Sequence, residues 1–83
     1  MFATRQKIFD EISIERDRQY NLPGSEYDQL HSINDWVAIA TQYLTRAVDR
    51  KHIKTNQDEK IEALIKSAAV IIAAIEHIEK KNQ

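Results

Sequence analysis

The sequence predicts an all-α protein, a three-helix antiparallel bundle that completes its core by homo-oligomerisation. One glycine and one proline, adjacent at Pro23-Gly24, leave little loop in 83 residues. No segment alternates apolar and polar residues over a strand's length, whereas apolar residues recur at helical spacing. The run from Ala68 to Ile75 is apolar throughout, just over two helical turns without a polar face. A helix that is apolar all round is buried all round.

The first helix is expected over about residues 3–20. Ile8, Phe9 and Ile12 share a face, and helical steps from them land on Glu15, Arg16 and Gln19. The apolar stripe therefore turns polar halfway along. Asn21 to Ser25 ends the helix, because a residue before proline avoids the helical region and glycine permits positive φ. The second helix is expected over 32–50, opened by Ser32 as N-cap with Asp35 at the third position. Trp36, Val37, Ile39, Ala40, Tyr43, Leu44, Ala47 and Val48 give it a broad apolar face, with Trp36 as a core anchor.

The third helix is expected over 56–80. Ile61, Leu64, Ile65, Ala68, Ile72, Ile75 and Ile78 form a seam suited to the other two helices. Ala69, Val70, Ala73 and Ala74 lie on the reverse side. Their small side chains admit a close neighbour, so they are the expected oligomer interface. All three helices belong to one domain, residues 1–83.

Composition narrows the function. A chain this short buries only about 60–65% of its unfolded surface and needs a disulfide, a metal or a partner. It has no cysteine, so disulfides and thiolate metal sites are excluded. A net charge of −1 lacks the basic excess that duplex nucleic acid demands. The start has no apolar leader segment, and the longest apolar run is far below the ~20 residues of a membrane span. A cytoplasmic protein with no membrane and no duplex nucleic acid among its partners is expected. Gly-rich phosphate loops, nucleophile elbows and His/Cys clusters are absent from the sequence.

What stands out is the segment Glu15-Arg16-Asp17-Arg18-Gln19. It reads either as a solvated helix end stitched by pairs such as Glu15 with Arg18, or as a ligand site at the end of a packed face. Arginine suits phosphate because its planar fork binds two oxygens at once. His31, Asp35 and Arg46 are the residues expected to close such a site from the second helix. Glu11 and Glu15, four residues apart, also point two carboxylates one way, as a Mg²⁺ site requires.

The elements Glu15-Arg16-x-Arg18-Gln19, His31, Asp35-Trp36 and the Ala-rich stretch ending Ile75-Glu76-His77-Ile78 resemble a known family. They are similar to small phage and prophage proteins of the MazG-like all-α nucleotide pyrophosphohydrolase superfamily, in its dATP/dGTP diphosphohydrolase-like branch. The resemblance spans about residues 8–80. It implies an oligomeric antiparallel helical bundle. Active members cleave nucleoside triphosphates with Mg²⁺ held by carboxylates on two successive helices. At the matching positions this chain carries Thr41, Gln42 and Thr45, then Ala63 and Lys66, and a one-residue shift recovers only Glu62.

The resemblance thus implies a catalytically silent, phage-encoded protein that binds a nucleotide or nucleotide-derived ligand. It would need no cofactor and have no catalytic residue. One alternative is a divergent Mg²⁺-dependent pyrophosphohydrolase using Glu11, Glu15 and Glu62 or Asp28. The other is an oligomeric interaction protein that binds a host protein.

Overall fold

The computed structural model describes residues 4–21, 32–49 and 54–81. Within them the chain is all-helical: α1 (Arg5–Tyr20), α2 (Ile33–Thr45) and α3 (Gln57–Lys81). Among the described residues no helix is long and apolar enough to cross a membrane.

Each helix begins where a side chain satisfies its first free N–H groups. Thr4 accepts from the Lys7 N–H of α1 at 3.2 Å. Ser32 and Asp35 form a full capping box: the Ser32 hydroxyl accepts from the Asp35 N–H, and the Asp35 carboxylate accepts from the Ser32 N–H at 2.8 Å. Asn56 accepts from the Glu59 N–H at 2.8 Å at the head of α3.

The second helix stops at Thr45, short of the expected residue 50. Arg46, Ala47 and Val48 donate to carbonyls three residues back, a tightened turn that closes the helix. Asp49 then takes the backbone N–H and the hydroxyl of Thr55, at 3.0 and 3.2 Å, and pairs with Lys60 at 3.2 Å. Asp49 therefore ties the end of α2 to the start of α3, where the apolar Ala47 and Val48 alone would prolong the helix.

α3 is the central element. α2 runs antiparallel to it, with Trp36 near His77 and Ala40 near Ser67. The core joins Trp36 and Ala40 to Val70 and Ala73, with Ile39, Tyr43 and Ala74 packed against them. Ser67, the most buried polar residue described, donates its hydroxyl to the Ala40 carbonyl at 2.9 Å. α1 lies across α3. One flank, with Glu11, Glu15 and Arg18, meets the first half of α3, and the other, with Phe9, Ile12 and Arg16, meets the second half.

The sidedness of α3 is the reverse of the expected one. Ala69, Val70 and Ala73 are buried within one chain, and Ala74 packs on the core beside α2. They are not an open interface. Ile61, Leu64, Ile72, Ile75 and Ile78 of the expected inner seam face outward instead, together with Ile71. Small side chains let helix axes approach closely, so α1 and α2 pack where alanine and serine predominate. From Ala68 to Ile75, where every side is apolar, nothing opposes that choice.

Candidate functional site

The polar half of α1 is turned toward α3, as the spacing of Glu15 and Gln19 behind Ile8 and Ile12 predicts. Glu15 is only 13% exposed at its side chain. It receives two hydrogen bonds from the Arg18 guanidinium, at 2.8 and 2.6 Å, and one from the Gln19 amide at 3.1 Å. The Gln19 amide also donates to the Lys66 carbonyl of α3 at 3.3 Å. Glu15 and Gln19 are thus partnered where they leave water, as a packed polar group must be.

Above this cluster lies an open cleft of about 570 Å³ between α1 and α3. Glu11, Glu15 and Arg18 line it from α1. Asp58, Ile61, Glu62, Ile65 and Lys66 line it from α3. Lys66 bonds Glu62 one turn back at 2.8 Å. The cleft therefore presents two ion pairs, Glu15 with Arg18 and Glu62 with Lys66, beside the carboxylates of Glu11 and Asp58.

The charges set the titration. The hydrogen bond from Arg18 holds the Glu15 carboxyl below its ordinary range, helped by the charges of Arg18 and Lys66 and by Gln19, while burial opposes. Glu62 is lowered in the same way, first by its bond from Lys66. Arg18 is raised by its bond to Glu15. All of these groups are charged at neutral pH.

A second, smaller cleft of about 290 Å³ lies next to the first, between α2 and α3. Tyr43, Arg46 and Thr55 face Glu59, Glu62, Ala63 and Lys66 across it. The Arg46 guanidinium lies over the Tyr43 ring at 5.0 Å, within cation–π range. Glu62 and Lys66 border both clefts, so they form the ridge between them.

The expected ligand set is therefore divided. Glu15 and Arg18 line the larger cleft, Gln19 lies beneath it, and Arg46 lines the adjoining one. Arg16 belongs elsewhere: it pairs with Glu76 at 2.9 Å on the opposite flank of α1 and lies over Tyr20. Asp35 is committed to the Ser32 cap at the far end of α2 from Arg46, about 16 Å along the helix axis at 1.5 Å per residue. A small ligand cannot touch both. His31 and Asp28 lie outside the described residues.

The positions matched to the family's metal carboxylates do not form a site either. Thr41 and Thr45 are exposed and donate their hydroxyls back to the Val37 and Gln42 carbonyls of their own helix, and Ala63 is buried. The acidic residues gather instead between α1 and α3, where Asp58 joins Glu11, Glu15 and Glu62. Asp58 was legible only as Asp58-x-x-x-Glu62, a one-turn spacing that says nothing until α1 is known to cross there. Among the described residues no three His, Asp or Glu side chains stand closely enough together to hold a metal ion. No protein-family model, no curated protein and no solved structure matches the chain.

Proposed function

We propose that the α1–α3 cleft binds a nucleotide or nucleotide-derived molecule of low charge, and that the protein is a catalytically silent, phage-encoded relative of the MazG-like superfamily acting as a homo-oligomer. The observation that carries the binding reading is the placement of the polar end of α1. Glu15 and Arg18 line a cleft whose other wall carries Asp58, Glu62 and Lys66 of α3, and Gln19 beneath it bonds the Lys66 carbonyl.

The lining decides the chemistry. Arg18 and Lys66 supply donors for a phosphate, and Arg18 is half-exposed, so one of its bonds can be redirected outward. Glu11 and Asp58 accept from hydroxyls, amines or ring N–H groups, as a ribose and a base offer. Four carboxylates against two cations repel a bare triphosphate, so a monophosphate or a nucleotide-derived ester is the better match. The Tyr43 ring in the adjoining cleft, already stacked by Arg46, offers an apolar face to a base. The ion pairs support the silent reading: Glu15 and Glu62 are each engaged by a cation, Arg18 and Lys66, which weakens both as ligands for Mg²⁺.

Calorimetric titration with nucleoside monophosphates, dinucleotides and cyclic nucleotides tests the binding. A ligand at a hundred times its Kd stabilises the folded state by about 2.7 kcal/mol and raises the melting temperature accordingly. Arg18→Ala and Lys66→Ala are expected to abolish that gain. If no nucleotide-like compound binds, the cleft is structural and the reading fails.

The second reading, a divergent Mg²⁺-dependent pyrophosphohydrolase, is favoured by four carboxylates, Glu11, Glu15, Asp58 and Glu62, lining one cleft, and it would need the substrate's phosphates to complete the metal's ligands, since no three of the four stand together. Release of monophosphate and pyrophosphate from a dNTP with Mg²⁺ or Mn²⁺, at a rate near the common enzyme median of about 10 per second, would establish it.

A further inference from the structure

Among the described residues the buried core contains one tryptophan, one valine and four alanines, whereas 14 large apolar side chains are exposed. That distribution is inverted for a protein that works alone. The largest share of the exposed groups falls on one helix: Ile61, Leu64, Ile71, Ile72, Ile75 and Ile78 of α3, each between 39% and 53% exposed.

Their spacing is regular. Ile61, Leu64, Ala68, Ile71, Ile75 and Ile78 follow one another at alternating steps of three and four residues, the repeat of a coiled-coil seam. No charge interrupts it. Glu62 and Lys66 bond each other beside the ligand cleft, and Glu76 is held by Arg16.

We infer that a second copy of this chain covers the outer seam of α3, helix against helix about a twofold axis near Ala68 and Ile71. The seam is self-complementary: an uncharged stripe with three-four spacing meets its own image with knobs entering holes and no charge left unpaired. Ala68, the small residue at its centre, is where the two helices come closest. The area approaches that of a standard interface. The six half-exposed side chains open on the order of 500 Å² of apolar surface. Phe9 and Ile12 border Ile71 and Ile72 across the second α1–α3 cleft and bring the patch toward the roughly 800 Å² that one partner of a standard interface buries. Ile61 also lines the ligand cleft, so, resting on the binding reading above, the second copy adds a wall to that site.

Light scattering behind a sizing column reads the mass of the full chain without any ligand, so the result is independent of nucleotide binding. At micromolar concentration the wild type is expected at twice the 9.7 kDa chain mass or a higher multiple. Ile71→Lys and Ile75→Lys change half-exposed residues outside the buried core. Each is expected to weaken association more than tenfold and return the monomer mass with the helical circular dichroism kept. The chain has no cysteine, so Ile71→Cys provides a second measurement that does not depend on the lysine variants folding. It is expected to form a disulfide-linked dimer on mild oxidation, while Gln42→Cys on the exposed side of α2 is not. A wild type that remains monomeric at high concentration overturns the inference and leaves the seam to a different protein. An oligomer that forms no disulfide at position 71 and keeps its mass in every lysine variant that folds overturns the seam as its interface.

Discussion

Glu15 shows how one side chain joins folding to a site. It is the point where an apolar stripe becomes polar, and its spacing from Ile8 and Ile12 makes that visible in the sequence. Its partners were only half visible: Arg18 is one turn away, but Lys66 lies 51 positions along the chain and meets it only because α1 crosses α3. The titration has a definite sign. A carboxyl held below its ordinary range binds fewer protons in the folded chain than in the unfolded one. Its stabilisation is complete above the ordinary glutamate range, about pH 4.3, and is lost as pH falls through the folded value. Glu62, and Asp49 with its bond from the Thr55 N–H and its pair with Lys60, have the same sign. The melting temperature is therefore expected to hold steady from neutral pH to about pH 5 and to drop below that. Glu15→Gln is expected to shrink the acid-side drop, as thermal melts across a pH series would read. A different residue-scale test concerns Ser67. Ser67→Ala removes the buried bond to Ala40 and should cost about 1 kcal/mol, a fall of roughly 4–8 °C in melting temperature.

Among the elements, α2 was the most legible at its start and the least at its end. Ser32 and Asp35 are side-chain chemistry that acts over three residues, so the cap can be read from four letters. Ser32→Ala is expected to cost about 1 kcal/mol by thermal or urea unfolding. The end depends on Asp49 reaching Thr55 and Lys60, a contact made only when α3 has turned back. Ala47 and Val48 prolong the apolar stripe and gave the wrong signal. For α3 the helix itself was plain, but its facing was not. Periodicity assigns an inner side by contrast between apolar and polar residues, and from Ala68 to Ile75 there is no contrast. Side-chain size decided instead, with the smaller side turned inward. Ala69 has no exposed surface at all, so Ala69→Leu overpacks the helix crossing and should destabilise by about 1–3 kcal/mol. The same change at Ala68, on the outer seam, is expected to have a smaller effect on the isolated chain.

For the whole molecule, α1 differs from its neighbours in one respect. It contributes no buried residue, whereas α2 contributes Trp36 and Ala40 to a core shared with α3. What holds α1 is sparse: Phe9 and Ile12 beside Ile71 and Ile72, the Gln19 bond to the Lys66 carbonyl, and the Arg16–Glu76 pair, a partly exposed ion pair of the kind that stabilises little. The antiparallel α2–α3 hairpin is then the most protected unit of the native state, and α1 is the segment that opens first. Amide hydrogen exchange should reveal two tiers, with α1 exchanging through a low-energy local opening and the hairpin only through a larger one. α1 also supplies Glu11, Glu15 and Arg18 to the cleft, so any molecule bound there must hold α1 down. Ligand occupancy would therefore be read as slowed exchange in residues 5–20, with the hairpin amides changing much less.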